Sequence, residues 1–175
     1  MPNIKEPITG SGLVVIDVQE RLAPAIADAP QVTARIAALI EKAEEAGLPI
    51  LATEQYSRGL GATVPALRRR LPAGAVVEKI HFAAAREPAF AQALHTRGIR
   101  HAVIAGMEAH VCVLQSALGL LAQGLAVTLV TDAVASRAEL NRDAALARLA
   151  RAGARLSDSA AVMAAWSAGR AAAGR

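Results

Sequence analysis

Short apolar runs alternate with segments of helical periodicity along almost the whole chain, and this alternation limits the fold more than any other feature of the sequence. Residues 12–17 read Gly-Leu-Val-Val-Ile-Asp, a β-branched run that begins at glycine and closes on a carboxylate. Such a run is typical of a buried parallel strand, with Asp17 at its carboxyl end. Between residues 32 and 46, apolar side chains recur every three or four positions before Gly47 and Pro49. This pattern predicts an amphipathic helix that crosses over to a second strand.

The same alternation continues towards the C-terminal end of the chain. Strands are expected at residues 12–17, 50–53, 75–80, 101–106, 126–131 and 154–156. Helices are expected at residues 32–46, 88–97, 110–123 and 139–152, followed by an alanine-rich terminal helix within residues 159–174. Alternating strands and helices predict a single α/β domain, residues 1–175, with a three-layer α/β/α Rossmann-like fold and a mainly parallel six-stranded sheet.

A segment with little periodicity follows the second predicted strand. Residues 54–72 include two glycines and two prolines, so we expect an irregular excursion with one helical turn near residues 66–69. Connections of this length inside a compact domain usually carry function. The excursion is therefore expected to shape the binding pocket.

Composition narrows the class of protein. Hydrophobic residues make up 54% of the chain and aromatic residues only 2%, so we expect a core of alanine, valine, leucine and isoleucine. The single cysteine cannot form an intramolecular disulfide, and the sequence has neither a zinc-binding spacing nor a secretory leader pattern. Its apolar stretches are too short or too interrupted to span a bilayer. These features predict a cytoplasmic protein without membrane contact.

The basic balance of the chain does not indicate a nucleic-acid partner. The formal net charge is +4 and the pI is about 10, but the arginines are scattered among acidic neighbours. Arg68, Arg69 and Arg70 form a tight basic run without interleaved aromatic residues. Such a run usually faces water. We therefore expect a small-molecule partner and no nucleic acid.

Three reactive side chains fall at predicted strand ends, where an open parallel sheet forms its ligand crevice. Asp17 closes the first strand, Lys79 lies at the end of the third, and Cys112 stands in the first turn of the helix after the fourth. The free N–H groups and positive dipole end of that turn favour a thiolate. The residues alone leave other roles open: Cys112 as a small core side chain, Asp17 as a cap and Lys79 as a solvated strand end.

Three motifs, in this order, resemble those of the isochorismatase-like cysteine hydrolases, which include nicotinamidases and N-carbamoylsarcosine amidohydrolases. They are Val-Ile-Asp-Val-Gln at residues 15–19, Glu-Lys at 78–79 with Phe-Ala at 82–83, and Gly-Met-Glu-Ala-His-Val-Cys-Val at 106–113. The resemblance extends from about residue 12 to residue 153. Residues 106–124, with Thr-Asp-Ala and Ser-Arg downstream, most resemble the isochorismatase-domain-containing branch, whose substrates are poorly defined.

The resemblance implies a catalytic triad and a covalent mechanism. Asp17 would act as general base towards the thiol, Lys79 would hold charge and geometry, and Cys112 would form a thioester or related acyl intermediate that water hydrolyses. It also implies a cis peptide between Met107 and Glu108. That peptide would aim the Glu108 N–H, together with the N–H of Cys112, at the oxyanion.

Departures from the family pattern narrow the expected chemistry. The metal-binding nicotinamidase branch has an Asp-x-His pair after the second strand, whereas this chain has Glu54, Gln55 and Tyr56 there and no histidine before His81. We therefore expect no metal and no cofactor, and a substrate other than nicotinamide. Isochorismatase proper does not depend on a cysteine at the position of Cys112, which favours amide, carbamoyl or related acyl chemistry over ether hydrolysis.

Five residues that flank the triad in sequence are expected to bind substrate: Gln19, Gln55, Tyr56, Phe82 and His110. His110 is not expected to be the base for Cys112, because residues two apart on a helix do not face each other.

Other uses of the same thiol remain open at this stage. It could serve a lyase or isomerase, or the chain could be a non-hydrolytic thiol protein, either redox-sensing or a structural homo-oligomer. The family commonly forms dimers, tetramers or larger rings, so a homo-oligomer is expected in either case.

Overall fold

The computed structural model describes residues 9–173, and its centre is one sheet of six parallel strands. The strands are β1 Ser11–Ile16, β2 Ile50–Gln55, β3 Val76–Lys79, β4 His101–Met107, β5 Ala126–Ala135 and β6 Arg155–Ser157. Their order across the sheet is β3-β2-β1-β4-β5-β6. The predicted parallel α/β sheet is confirmed, and its strand order reverses between β1 and β4, where Rossmann-like sheets bind ligands.

Helices cover both faces of the sheet. They are α1 Ala29–Glu45, α2 Ser57–Leu60, α3 Pro65–Arg68, α4 Pro88–Thr96, α5 Leu114–Ala122, α6 Glu139–Arg151 and α7 Ser159–Ala173. Two short 3₁₀ turns, Ala23–Ala25 and Ala84–Arg86, and a π-helical turn, Ala109–Val113, complete the described structure. The predicted end of the last helix, residue 174, lies outside the described residues. None of the helices within residues 9–173 is long and apolar enough to cross a membrane.

Two apolar layers, one on each face, hold the helices to the sheet. Side chains alternate along β1, so that Leu13 and Val15 pack beneath α1 and α7, whereas Val14 and Ile16 pack beneath α4, α5 and α6. Each layer contains one buried aromatic side chain among the described residues. Trp166 lies in the layer with α1 and α7, and Phe90 lies in the layer with α4, α5 and α6. The three-layer arrangement predicted from the sequence is thus confirmed.

The excursion after β2 begins later and contains more helix than expected. Strand β2 continues to Gln55, so Glu54 lies in the sheet and not in the connection. The buried Glu54 carboxylate accepts hydrogen bonds from the N–H and hydroxyl of Thr63, at 2.7 and 2.8 Å, and pairs with Arg68 at 2.6 Å. These bonds fold the connection back onto the strand. The helical turn predicted near residues 66–69 is present as α3, and a second turn, α2, was not predicted.

Two further boundaries differ from the predictions around the functional edge of the sheet. Strand β5 runs past residue 131 to Ala135, because the register with β4 shifts between Ile104 and Gly106 and lets β5 continue. The helix expected to begin at residue 110 starts as a π-helical turn, and its regular part begins only at Leu114. The π-helical turn contains Cys112, and the extension of β5 pairs with Gly106 and Met107.

Candidate active site

Asp17, Lys79 and Cys112 come together at the carboxyl edge of the sheet. Asp17 directly follows β1, Lys79 is the last residue of β3, and Cys112 lies in the π-helical turn after β4. Asp17 adopts a left-handed backbone conformation, with φ of 49°. Such a conformation is uncommon outside glycine and concentrates at functional sites.

The Asp17 carboxylate forms a fully buried ion pair with Lys79. Its Oδ2 atom lies 2.8 Å from Nζ of Lys79, and both side chains have no exposed surface. The hydroxyl of Thr53, on the neighbouring strand β2, donates to Oδ1 at 2.6 Å. Oδ2 accepts no hydrogen bond of regular geometry from residues 9–173, although it contacts the ammonium. One carboxylate oxygen is therefore anchored by Thr53, and the other contacts the ammonium.

Three further oxygen atoms surround the Lys79 ammonium. Nζ donates to Oε1 of Gln55 at 2.6 Å and to the carbonyl oxygens of His81 and Phe82 at 3.2 Å each. The segment that carries these carbonyls is tied to α5, because the Ser116 hydroxyl accepts the Ala84 N–H at 2.9 Å. The ammonium is thereby held at one point within the site.

The Cys112 thiol is buried next to this pair. Its residue is only 6% exposed and it forms no disulfide. Burial raises the pKa of the Cys112 thiol to about 12; the negative charge of Asp17 adds to the increase, whereas the positive charge of Lys79 acts in the opposite direction. This direction is opposite to the one favoured by a position at the start of a helix, because burial removes the charged thiolate from water.

Glu108, which precedes the π-helical turn of Cys112, is held in place by Arg137. The peptide between Met107 and Glu108 is cis, as the family resemblance implied. The Glu108 carboxylate pairs with the Arg137 guanidinium at 2.9 Å and accepts the Arg137 N–H at 3.0 Å. Burial opposes ionisation of Glu108, but the hydrogen bonds and charge of Arg137 prevail and hold the pKa of this carboxyl below its ordinary value.

A close approach of two strands brings the halves of the site together. Gly106, near the end of β4, has φ of 131°, and a Cβ atom at this position would lie 2.0 Å from the carbonyl oxygen of Ile16 on β1. Only glycine fits such a contact. Because Asp17 follows Ile16 directly, this approach sets the distance between the loops that carry Asp17 and Cys112.

The residues expected to bind substrate divide into two groups. The amides of Gln19 and Gln55 bond only to protein groups: Gln19 to the main chain of Gln55 and Gly61, and Gln55 to Lys79 and the Ile80 carbonyl. The structure brings both side chains close to Lys79 and Asp17, with each amide hydrogen-bonded to protein groups.

The other three expected substrate residues lie near the surface. Tyr56 and Phe82 are 59% and 52% exposed, near the beginnings of the segments that follow β2 and β3. Ring nitrogen Nδ1 of His110 lies 2.9 Å from the hydroxyl of Ser136. A depression of about 440 Å³ beside Lys79 is lined by Tyr56, Ile80 and polar neighbours, but Cys112 is not part of its wall.

Sequence reasoning missed Thr53 as part of the site and gave Arg137 no role. Thr53 is a polar residue in an apolar strand, opposite Ile16 in the register of the sheet, and that contrast was an available signal. Arg137 reaches Glu108 only because β5 continues past its predicted end. No local pattern in the sequence indicated that continuation.

Comparison with known proteins decides the family. The model of the isochorismatase domain matches residues 11–161. The chain belongs to the isochorismatase family. It is 36% identical to human isochorismatase domain-containing protein 2 over 160 residues, which cover 90% of this chain and 76% of that protein. The predicted family is thus confirmed, and membership supports a hydrolase function.

Solved structures agree with this assignment. A protein from Caenorhabditis elegans described as MAR1 ribonuclease superposes with a TM-score of 0.85 at 35% identity, covering 92% of this chain and 83% of that one. YcaC from Escherichia coli, described as an octameric hydrolase of unknown specificity, has a TM-score of 0.85 at 27% identity, covering 93% and 82%. The structure of YcaC from Pseudomonas aeruginosa with covalent acrylamide has a TM-score of 0.85 at 28% sequence identity. The match covers 91% of this chain and 81% of that one.

Proposed function

We propose that the chain is a cysteine hydrolase that cleaves an amide, carbamoyl or related acyl bond of a small molecule through a covalent intermediate on Cys112. The observation that carries the proposal is the buried Asp17–Lys79 pair, at 2.8 Å, beside a buried thiol whose pKa the charge of Asp17 helps to raise to about 12. A thiol in this state needs a base at the moment of attack. Asp17 is positioned to be that base.

The first half-reaction transfers one proton and forms one bond. The thiol proton of Cys112 passes to Asp17 as Sγ attacks the carbonyl carbon, and the carbonyl oxygen becomes an oxyanion. The N–H groups of Glu108 and Cys112 would stabilise that oxyanion. Its collapse breaks the bond to the amine, which takes the proton from Asp17 and leaves a thioester.

The second half-reaction restores the enzyme. Asp17 takes a proton from water, the resulting hydroxide attacks the thioester carbon, and the thiolate leaves and is reprotonated by Asp17. Lys79, 2.8 Å from Asp17, keeps a positive charge beside the groups on which negative charge develops. The product is a carboxylic or carbamic acid.

The raised pKa of Cys112 argues against the alternative hypothesis that the chain is a redox-sensing thiol protein. Peroxide-sensing cysteines react as exposed thiolates of low pKa. Cys112 is buried and its pKa is raised. Hydrolysis with a base-assisted thiol fits these properties better than direct oxidation.

We also propose that the chain forms a homo-oligomer and works in the cytoplasm. The octameric E. coli relative supports self-association. So do large apolar side chains exposed near the carboxyl edge of the sheet: Tyr56, Ile80, Phe82 and Leu140. A nucleophilic cysteine without a partner favours a reducing compartment. Light scattering of the wild type and of Ile80→Glu tests the oligomer, which the added charge should weaken.

A product assay tests the proposed reaction. Wild type, Cys112→Ser and Asp17→Asn are incubated with a panel of primary amides and carbamoyl compounds, and ammonia release is measured; RNA is included because of the name of the C. elegans relative. We expect the wild type to hydrolyse at least one small amide and each variant to lose about 100-fold or more in rate. Undiminished hydrolysis by Cys112→Ser, or cleavage of RNA alone, would contradict the proposal.

A further inference from the structure

We infer that Gln55 is a positioning residue that aims the Lys79 ammonium at the Asp17–Cys112 pair, and that it does not bind substrate. The inference rests on the proposed function, because it assigns Gln55 a role in the same triad. Oε1 of Gln55 accepts a hydrogen bond from Nζ of Lys79 at 2.6 Å, which is shorter than the 2.8 Å between Nζ and Asp17. Gln55 therefore contributes one of the two shortest contacts of the ammonium.

The orientation of the Gln55 amide is fixed from its other end. Nε2 donates to the carbonyl oxygen of Ile80 at 2.9 Å. An ammonium group can only donate and a carbonyl oxygen can only accept, so the amide oxygen must face Lys79 and the amide nitrogen must face Ile80. In the flipped amide, the NH₂ group would face the Lys79 ammonium, donor against donor, and the amide oxygen would face the Ile80 carbonyl, acceptor against acceptor.

Gln19 holds the main chain of Gln55 in the same way. The Gln55 N–H donates to Oε1 of Gln19 at 2.8 Å, and Nε2 of Gln19 donates to the Gln55 carbonyl at 3.1 Å and to the Gly61 carbonyl at 2.7 Å. Both glutamine side chains are buried. The backbone and the side chain of Gln55 are thus each held at two points, which leaves its oxygen little freedom to move away from Lys79.

The neutrality of the acceptor matters for the chemistry. With Asp17 ionised, Lys79 charged and Cys112 protonated, the cluster has no net charge before the reaction. A carboxylate in place of the Gln55 amide would add a buried negative charge beside the ammonium and oppose the charge that develops on the sulfur. An apolar side chain would leave a Lys79 donor without its acceptor and release the ammonium from its position. Both changes should make Cys112 harder to deprotonate.

The rate of acrylamide addition to Cys112, followed by intact mass from pH 7 to pH 9.5, tests the inference. Gln55→Glu keeps the shape of the side chain and adds charge, whereas Gln55→Met removes the acceptor. The exposed Gln92, on α4, provides the matched control Gln92→Glu. We expect Gln55→Glu to react about tenfold more slowly than wild type at each pH, equivalent to one pKa unit, Gln55→Met about threefold more slowly, and Gln92→Glu unchanged.

The direction of the change separates positioning from a structural role. A merely structural glutamine would, when replaced, loosen the site and expose the thiol, so both Gln55 variants would react as fast as wild type or faster while their melting temperatures fell. That result would overturn the inference. Asp17→Asn, measured alongside, reports on the proposed function: if it leaves the alkylation rate unchanged, the triad itself fails, whereas a changed rate together with wild-type rates for both Gln55 variants rejects only the role of Gln55.

Discussion

Nζ of Lys79 lies 2.8 Å from Oδ2 of Asp17, and the two side chains meet across an intervening strand without any exposed surface. Asp17 follows β1 and Lys79 ends β3, so the pair spans the strand between them, β2. On β2, Thr53 is hydrogen-bonded to Asp17 and Gln55 is hydrogen-bonded to Lys79. Burying two charges is costly unless each is paired and hydrogen-bonded. The site therefore depends on both partners being present together.

Removing one partner of this pair should destabilise the fold more than removing both charges. In Lys79→Met the Asp17 carboxylate stays buried without its counter-charge, and we expect the free energy of unfolding to fall by about 3 to 5 kcal/mol. The double variant Asp17→Asn with Lys79→Met should recover much of that loss. Guanidinium denaturation of the three proteins measures the difference. Equal stability of the single and double variants would show that the two charges are not coupled.

Stability should depend on alkaline pH through Cys112. Its pKa is raised in the folded protein, so the folded state keeps a proton that the unfolded state releases first, and the resulting stabilisation is complete below pH 9 and is lost as the pH rises from 9 towards 12. The stability difference between wild type and Cys112→Ala should shrink over that range by up to about 1.4 kcal/mol per pH unit. Urea denaturation at pH 8, 9 and 10 measures it. A constant difference would mean that the thiol titrates alike in both states.

The Glu108–Arg137 pair should stabilise the protein above acidic pH. The pKa of Glu108 is lowered, so its contribution is present above its ordinary pKa of about 4.3 and is lost as the pH falls. Because Arg137 is largely exposed and water screens the pair, we expect Arg137→Met to lower the free energy of unfolding only slightly at pH 7 and by still less at pH 3. Arg148→Met, at an exposed position of α6, is the control. A loss of unfolding free energy that is the same at pH 7 and pH 3 would show that Arg137 acts through packing alone.

Gly106 should tolerate no side chain. Alanine at this position would bring Cβ to 2.0 Å from the Ile16 carbonyl oxygen, so we expect Gly106→Ala to yield little folded protein. Gly124 also has a positive φ, of 83°, but a Cβ there would meet nothing within 4 Å. The free energy of unfolding of Gly124→Ala should therefore fall by only about 1 to 2 kcal/mol, the usual cost of a side chain in left-handed backbone. Thermal melts compare the two, and similar melting temperatures would contradict the close approach of β1 and β4.

The periodicity of the sequence was sufficient to predict the sheet, because buried parallel strands and amphipathic helices have distinct patterns. The apolar residues of α1 that recur from Val32 onward are buried as expected. The ends of β2 and β5 were not predictable from local patterns, because Glu54 is buried by partners distant in sequence and β5 continues through a shift in register with β4.

The residues of the candidate site were predictable from the sequence, but their environment was not, because it depends on contacts between distant parts of the chain. Strand ends and motifs singled out Asp17, Lys79 and Cys112, but the protonation state of Cys112 depends on its depth in the fold. The roles of Gln19 and Gln55 likewise depend on which atoms their amides meet, and Gln55 meets Lys79, 24 residues away. Sequence could place these glutamines near the triad, but not show that their amides are already occupied.

The most direct test of the proposed mechanism compares two reactions of one variant, Asp17→Asn. Asp17 raises the pKa of Cys112 by its charge and is also the proposed base. Its replacement should therefore increase the rate of acrylamide addition to Cys112 at pH 8, because the thiol ionises more easily, and should reduce amide hydrolysis by about 100-fold or more, because no group accepts the proton during attack. Hydrolysis that survives in Asp17→Asn, or alkylation that does not change, would contradict the role of Asp17 and with it the proposed triad.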